Sequence, residues 1–275
     1  DMASAVAAPA KSTFDQVLIE AHRFRHENTK IALVTGKSFE DVSDKIKITS
    51  KRIGELPAST TAWTREVRRL TGDWDNAVNS IDSYKDRALQ LDQPLESLVD
   101  QAGRLNTMFG VKSKGQAADF FGTLDAAANK VGISAQRMNR QWQAAEETIA
   151  RMGNKDMKKL AGWTASFAAV ADNPQAGIEA QQYATDELRG GWRMIQKRMR
   201  NKGFLKKGES LLDPNTGKVD SDKWLKAQAF MAKDKLKYYG SKSRALEVEA
   251  SDDIFKAEAV SNSFRAADLY DKYKG

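Results

Sequence analysis

The chain has 275 residues, with 44 Lys and Arg against 37 Asp and Glu, which gives a formal net charge of +7. It contains no cysteine and only two histidines, which excludes disulfides, thiolate metal sites and a cysteine nucleophile and leaves little material for a Ser-His-Asp triad. The positive balance favours an acidic partner, such as nucleic acid, anionic lipid or an acidic protein surface. Few prolines and abundant Ala, Lys, Gln and Leu favour helix.

Residues 1–11 are predicted to form a disordered or extended N-terminal segment. They are small and apolar, but they lack the basic start and the long apolar core of a signal peptide. The longest uncharged, apolar-rich run of the chain is the 12 residues 160–171, against about 20 needed to span a bilayer. A chain that starts Asp1-Met2 is typical of a tag remnant or of a processed piece of something longer.

Residues 12–203 are predicted to form a helical bundle or array, because apolar residues recur there every three or four positions. The first helix is predicted to end at Gly36, and a second to start at a capping box of Ser38 and Asp41 and to end at Pro57. A third is predicted as one continuous helix, since its apolar steps alternate between four and three. Its stripe consists of Trp63, Val67, Leu70, Trp74, Ala77, Ile81, Tyr84 and Ala88.

This third helix has candidate N-caps at residues 59–61 and is interrupted at residues 92–94. Shorter helices follow, and most are predicted to end at a glycine, because glycine readily adopts the left-handed conformation found just past a helix. The Gly190-Gly191 pair predicts a kink or break in the last helix of the region. The predicted stripes are residues 95–109, 120–131, 138–152 and 157–170, with helix starts at Ser134, Asn154 and Asn173-Pro174.

The glycines at the predicted helix ends recur with a loose period. Gly110, Gly132 and Gly153 lie 22 and 21 residues apart. That spacing equals one short helix and a tight turn, which is the unit of an array of helical hairpins, but an ordinary bundle with glycine turns also explains it. The predicted fold is therefore all-α, an array or bundle of about eight to ten short amphipathic helices joined by Gly/Ser turns.

The chain changes character after residue 203. Residues 204–221 are predicted to form a loop-rich linker, with a short hairpin as one option, because they contain Gly208 and the turn sequence of residues 213–217. Residues 222–275 are predicted to form a C-terminal helical region, since apolar residues again follow helical spacing.

The strongest charge feature is the segment Arg189–Lys207, which contains no acid. Four of its cations fall on one helix face and three apolar residues on another, namely Arg189, Arg193, Lys197 and Arg200 against Trp192, Ile195 and Met199. This pattern is typical of a basic amphipathic helix on a nucleic acid, a membrane surface or an acidic protein groove. The alternative is a helix end whose cations suit the macrodipole and solvent. The residues predicted to bind a partner are Arg189, Arg193, Lys197, Arg198, Arg200 and Lys202.

The remaining constellations give no reactive site. His22 and His26 share a helix face, but the arginines between them disfavour a cation, so exposed histidines without a ligand are expected. Acidic pairs at residues 73/75, 146/147 and 252/253 are neighbours on a helix and do not face each other across a cleft. The six tryptophans lie on apolar stripes and are expected in the core. No catalytic residue, metal or cofactor is predicted.

Turns of glycine and serine between short helices recur at residues 127–135 (AANKVGISA), 32–42 (ALVTGKSFEDV) and 109–113 (FGVKS), and residues 152–154 and 171–178 are similar in style. These stretches resemble phage tail tape measure proteins, in which short amphipathic helices are joined by Gly-(apolar)-Ser turns. The resemblance spans residues 12–203.

The resemblance implies a structural, non-enzymatic virion component, a helical part of a protein that determines tail length and takes part in tail tube and tip assembly and in genome ejection. Its expected partners are tube, tip or hub proteins and copies of itself, with contact to DNA or host membrane as a further expectation. Its expected location is the tail lumen, after synthesis in the host cytoplasm. Two alternatives stay open: a basic helical module that binds nucleic acid or an anionic membrane surface, and a muramidase-like enzyme that uses Glu146.

Overall fold

The computed structural model describes residues 2–152, 156–190, 192–212, 217–241 and 254–273. Within these ranges the regular structure consists of twelve α-helices and one short 3-10 helix, with one isolated antiparallel bridge between two residues. The predicted all-α fold is therefore confirmed. None of the helices in these ranges combines the length and the apolar character needed to cross a lipid bilayer.

The helices follow one another with short connections. Those of the first half of the chain are α1 (Met2–Thr35), α2 (Phe39–Ile53), α3 (Pro57–Thr71), α4 (Trp74–Gln90), the 3-10 helix (Leu95–Leu98) and α5 (Val99–Phe109). Those of the second half are α6 (Lys114–Val131), α7 (Ala135–Ala150), α8 (Met157–Val170), α9 (Pro174–Gly190), α10 (Trp192–Asn201), α11 (Ser221–Tyr239) and α12 (Ile254–Tyr273).

Contacts between residues divide the chain into two compact units, unit 1 (Asp1–Asp119) and unit 2 (Phe120–Gly275). The boundary lies within α6, whereas the sequence predicts one helical region over residues 12–203. The start of the chain differs too. The helix α1 includes residues 2–11, where an extended or disordered segment is predicted, and the alanines of that stretch are the residues with the highest helix propensity.

The predicted third helix, from Trp63 to Ala88, is wrong as one continuous element. The helix α3 ends at Thr71, Gly72 follows with a left-handed φ of 71°, and the Asp73 carboxylate accepts a hydrogen bond from the backbone N–H of Asn76 at 2.8 Å. The apolar stripe continues across this break because both helices turn the same side to the core. Periodicity alone therefore does not reveal a break that preserves the phase of the stripe.

The predicted ends of α2 are half right. The Ser38 hydroxyl accepts a hydrogen bond from the backbone N–H of Asp41 at 3.1 Å, which confirms the predicted N-cap. The helix does not reach Pro57, however, because Gly54 ends it in the left-handed conformation with a φ of 69°. Pro57 instead occupies the first turn of α3, so the predicted caps at residues 59–61 lie inside that helix.

Unit 1 is built around α3, which contacts α1, α2, α4 and α5. One apolar cluster joins α1, α2 and α4, and a polar triad is buried among the first three helices: Asn28 donates to the Ser43 hydroxyl at 3.2 Å and accepts from the Thr61 hydroxyl at 3.3 Å. Each of these buried polar groups therefore has a partner. The cluster consists of Ile31, Ala32, Val42, Ile46, Trp74 and Val78.

Unit 2 has α8 at its centre, and this explains the uncharged run predicted for residues 160–171. The helix α8 contacts α7, α9, α11 and α12, and nine of its 14 residues are buried, all of them from Leu160 onward. A helix that is apolar all round is typical of such a central position. Gly177 lets α9 approach closely, because a Cβ at that position would lie 3.1 Å from the backbone oxygen of Phe167.

Where the turns of unit 2 are described, their helix caps are the predicted ones. Ser134 caps α7 and Asn173 caps α9, each through a side-chain oxygen that accepts a backbone N–H. The predicted turn at Gly153 and Asn154, the turn at residues 213–216 and Gly191 of the predicted break lie outside the described residues. A residue not singled out from the sequence, Asp156, caps α8.

The described parts of the predicted linker, residues 204–212 and 217–220, pack on unit 2. Leu212 and Val219 form an antiparallel bridge, and the backbone N–H of Asp220 donates to the Leu211 oxygen at 3.0 Å. Leu205 and Leu211 are buried. A short hairpin is one of the options that the sequence leaves open here, and the residues of its turn lie outside the described part of the chain.

Candidate functional site

The basic segment singled out from the sequence forms α10 and the residues that follow it in unit 2. Met199 is fully buried, and Leu205 packs into the interior just beyond the helix. This burial anchors the second half of α10 on its apolar side. Of the predicted partner-binding residues, Arg189 and Arg193 have side chains outside the described part of the structure.

A carboxylate of α11 lies against two of the predicted cations. The Nε of Arg198 donates to one Asp234 oxygen at 2.6 Å, and the Lys202 ammonium lies 3.4 Å from the other oxygen. The Asp234 side chain is only 7% exposed, whereas Arg198 and Lys202 remain 38% and 53% exposed. Burial of a carboxylate is unfavourable unless cations and hydrogen bonds compensate for its lost hydration, and these two residues provide that compensation.

An aromatic side chain lies beside the same ion pairs. The guanidinium of Arg198 is 5.8 Å from the centre of the Tyr238 ring, a distance at which the positive charge is attracted to the ring face. Tyr238 is one helical turn beyond Asp234 on α11, so both side chains lie on the same face of that helix. With 72% of its surface exposed, Tyr238 also presents its ring to solvent.

The other two described members of the predicted set have different surroundings. Arg200 donates to the side-chain oxygen of Gln196 at 3.5 Å within α10. It also donates to the backbone oxygen of Glu209 at 2.9 Å, and this bond connects α10 to the segment after it. Lys197 is exposed. The structure therefore brings Arg198 and Lys202 together on one carboxylate and does not bring Arg200 into that cluster.

Asp234 was missed in the sequence, although a signal for it exists. Trp224, Ala227, Met231 and Asp234 follow steps of three and four, and all four are buried. An acid that continues an apolar helix stripe has to meet a cation or a donor in the folded chain. The acid-free segment before α11 is one source of such cations.

A second ionic cluster joins the starts of α8 and α11. Asp222 accepts from Lys159 at 2.6 Å and lies 2.5 Å from the Lys226 ammonium, while Lys159 also lies 3.4 Å from Asp156. Hydrogen bonds from Lys159 and then Lys226 hold the pKa of the Asp222 carboxyl below its usual value, and the bond to Asp222 raises the pKa of Lys159. Acids at helix N-termini with nearby lysines are a stabilising arrangement, and nothing about this cluster requires a ligand.

The residues tested for metal or acid-base chemistry do not converge on a site. His22 and His26 are both exposed on α1, and the described residues contain no group of three or more side chains that could hold a metal ion. Asp73 serves as the N-cap of α4, and Asp75 pairs with Lys37 and Lys45. The pair at residues 252/253 lies outside the described residues.

Glu146 has surroundings unsuited to a general acid that protonates a glycosidic oxygen. Its side chain is on α7 and only 1% of its surface is exposed, whereas Glu147 next to it is exposed and lies 3.7 Å from Arg151. A glycosidase needs two carboxyl groups that reach a substrate from opposite sides of a cleft. Glu146 and Glu147 point to the core and to solvent, so they do not form such a pair.

The tryptophans act as core residues wherever their side chains are described, as predicted. Trp63 contacts Tyr84 at 5.6 Å between ring centres, Trp142 contacts Phe120 at 5.3 Å, and Trp163 contacts Trp224 at 4.6 Å. The side chain of Trp192 lies outside the described residues. The aromatic stripes of the sequence therefore account for packing within each unit.

The surface around Asp234 is thus the arrangement that unites several of the predicted residues. It contains cations, one buried carboxylate and an exposed aromatic ring, a chemistry that suits binding of an anionic partner. Its two helices are fixed to the interior of unit 2 through Met199, Trp224 and Met231. In comparisons with known proteins, the chain matches no protein-family model, no curated protein and no solved structure.

Proposed function

We propose that this chain is a structural, non-enzymatic virion component, a helical part of a protein similar to the phage tail tape measure proteins. The support comes from the turns that carry the resemblance. In three of them a left-handed glycine ends one helix, and the hydroxyl of a serine two or three residues later accepts a backbone N–H of the next. These turns are Gly36 to Ser38, Gly110 to Ser113 and Gly132 to Ser134.

In this role the chain acts through packing surfaces, in tail length determination, tail tube and tip assembly and genome delivery. The partners that we propose are tube, tip or hub proteins and further copies of the chain, and the location is the tail lumen after synthesis in the host cytoplasm. The exposed apolar side chains of α1 support contacts of this kind, because Val17, Leu18 and Ile19 are all more than half exposed.

The test is an in-frame deletion of residues 111–153, which contain α6 and α7, in the phage gene that encodes the chain. Tails measured by electron microscopy are expected to be shorter, by at most about 60 Å if the segment lies as helix along the tail at roughly 1.5 Å per residue. Duplication of the same residues is expected to lengthen the tail.

The matched control replaces residues 111–153 with an unrelated helical segment of equal length, which should leave the tail length unchanged. Tails of parental length in both the deletion and the duplication would rule out a ruler role for this segment. The duplication keeps the test decisive if the shortened chain fails to assemble, because it leaves the original helices in place.

A further inference from the structure

The ion pairs around Asp234 bring cations of two helices to one place on the surface of unit 2. Arg198 is on α10, Lys202 directly follows the end of that helix, and both contact Asp234. On α11, Lys237 and Tyr238 follow Asp234 at three and four residues, so they lie on the same side of that helix. Lys237 is exposed, and the described residues show no ion pair for it.

Asp234 holds these cations in position without using all of their hydrogen-bond donors. It accepts from Nε of Arg198, which leaves the two Nη groups of a guanidinium that is 38% exposed. A guanidinium held in this way presents a planar pair of donors, the geometry that matches a phosphate group. With three cations and one carboxylate, the cluster of Arg198, Lys202, Asp234 and Lys237 has a net charge of +2.

The sequence segment that carries the cluster is strongly basic. Residues 196–237 contain 12 Lys and Arg against 5 Asp and Glu, a surplus of +7 that equals the net charge of the whole chain. A polymer with a charge on every unit gains most from such a surface, because binding releases its condensed counterions. The exposed Tyr238 ring adds a stacking face for a base.

We propose that Arg198, Lys202 and Lys237 bind the phosphate backbone of a nucleic acid strand and that Tyr238 stacks on one of its bases. A membrane surface fits the observations less well, because a helix that binds in the interface inserts apolar side chains. In the described part of α10, the apolar side chain Met199 is fully buried in the protein. This proposal does not depend on the tape measure role.

The test measures binding of fluorescently labelled 20-nucleotide single-stranded DNA and its duplex by anisotropy over a range of salt concentrations. The variant K202Q/K237Q is expected to bind single-stranded DNA about tenfold more weakly, and the slope of log K against log salt is expected to fall by about 1.4, at roughly 0.7 per lost phosphate contact. The variant Y238A is expected to weaken single-stranded binding about tenfold and duplex binding less than twofold.

The matched control is R25Q/K51Q, which removes two exposed cations of unit 1 and so changes the net charge by the same amount. It should alter the affinity less than twofold, and all variants should keep the circular dichroism spectrum of the parent at the temperature of the binding assay. An equal loss in the control variant would overturn the site, as would a parent without salt-dependent binding to either DNA. Cosedimentation with phosphatidylserine vesicles together with no DNA binding would also overturn it.

Discussion

Asp234 is a carboxylate on the apolar side of α11, and its burial leaves it dependent on two neighbouring cations. Arg198 and Lys202 are both partly exposed and keep part of their hydration, whereas the Asp234 carboxylate loses almost all of its hydration. In such a pair the removal of one partner costs more than the pair contributes as a whole, because the other group loses its compensation.

At this residue, D234A is expected to lower the free energy of unfolding by about 1–3 kcal/mol. The substitution removes the ion pairs with Arg198 and Lys202 and leaves a gap beside Met231 and Tyr238. Chemical denaturation followed by circular dichroism measures the change. The control E147Q breaks an exposed pair with Arg151 in the same unit and should stay within about 0.5 kcal/mol of the parent. Equal effects of the two variants would contradict the anchoring role of Asp234.

Asp222 gives the chain a defined acid sensitivity. Hydrogen bonds from Lys159 and Lys226 lower its pKa in the folded state, so its contribution to stability is present above the unfolded value of about 4 and is lost as the pH falls through the folded pKa. We expect D222N to lower the Tm at pH 7, and its difference from the parent to shrink as the pH is lowered from about 5 to 2.

The measurement is a series of thermal melts between pH 7 and pH 2. At neutral pH the difference should be modest, about 0.5–1 kcal/mol, because both lysines are substantially exposed and the pairs are screened by solvent. The control D172N changes an exposed carboxylate for which the described residues show no ion pair. It should follow the parent at every pH, and a difference between D222N and the parent that is constant over pH would refute the assignment.

At the scale of elements, the break between α3 and α4 depends on one residue. Gly72 has a φ of 71°, and a Cβ built there would meet no atom within 4 Å, so the cost of a side chain is purely conformational. We expect G72A to lower the free energy of unfolding by about 1 kcal/mol. In a continuous helix the same substitution would instead stabilise by about 0.5–1 kcal/mol, so the sign of the change tells the two structures apart.

The matched control is G122A in α6, where the glycine is exposed inside a helix, has an ordinary φ and also has no atom within 4 Å of the added Cβ. This variant should be more stable than the parent by about 0.5–1 kcal/mol. Denaturant titrations of both variants complete the comparison. Stabilisation by G72A would contradict the left-handed turn.

The elements show how far local signals lead. The helix ends at Gly36, Gly110 and Gly132 and the caps at Ser38 and Ser134 were predictable, because a glycine or a hydroxyl at a helix end acts on the backbone nearest to it. The break after Thr71 has the same local signal, since Gly72 is followed by the cap Asp73, but the apolar stripe keeps its phase across the break and therefore predicts one helix. An apolar stripe shows which side of a helix faces the core. It does not show whether the chain along that side is one helix or two.

The candidate site was likewise predictable only in part. The basic segment was predictable from the sequence, because residues 189–207 contain Lys and Arg but no Asp or Glu. Which of its cations form ion pairs within the protein depends on Asp234, and this residue lies 36 residues beyond Arg198. Contacts over that separation follow from how α10 and α11 pack, and helical periodicity does not determine such packing.

At the scale of the whole molecule, each unit has a core of its own. Ile46 is fully buried on α2 in the apolar cluster of unit 1, and Ile149 is fully buried on α7 in unit 2. Because the stability of a compact unit derives mainly from the apolar surface that it buries, each unit is expected to unfold as its own cooperative transition.

Matched core substitutions test this expectation by differential scanning calorimetry. We expect I46A to lower the Tm of the unit 1 transition and I149A to lower that of the unit 2 transition. Each substitution should reduce the free energy of unfolding of its unit by about 2–5 kcal/mol, which corresponds to a Tm shift on the order of 10 °C for units of this size. The control I48A changes the same residue type at an exposed position of α2 and should leave both transitions nearly unmoved. If I46A and I149A lower one shared transition equally, the two units form a single cooperative structure. Independent shifts would establish that the boundary within α6 separates two folding units.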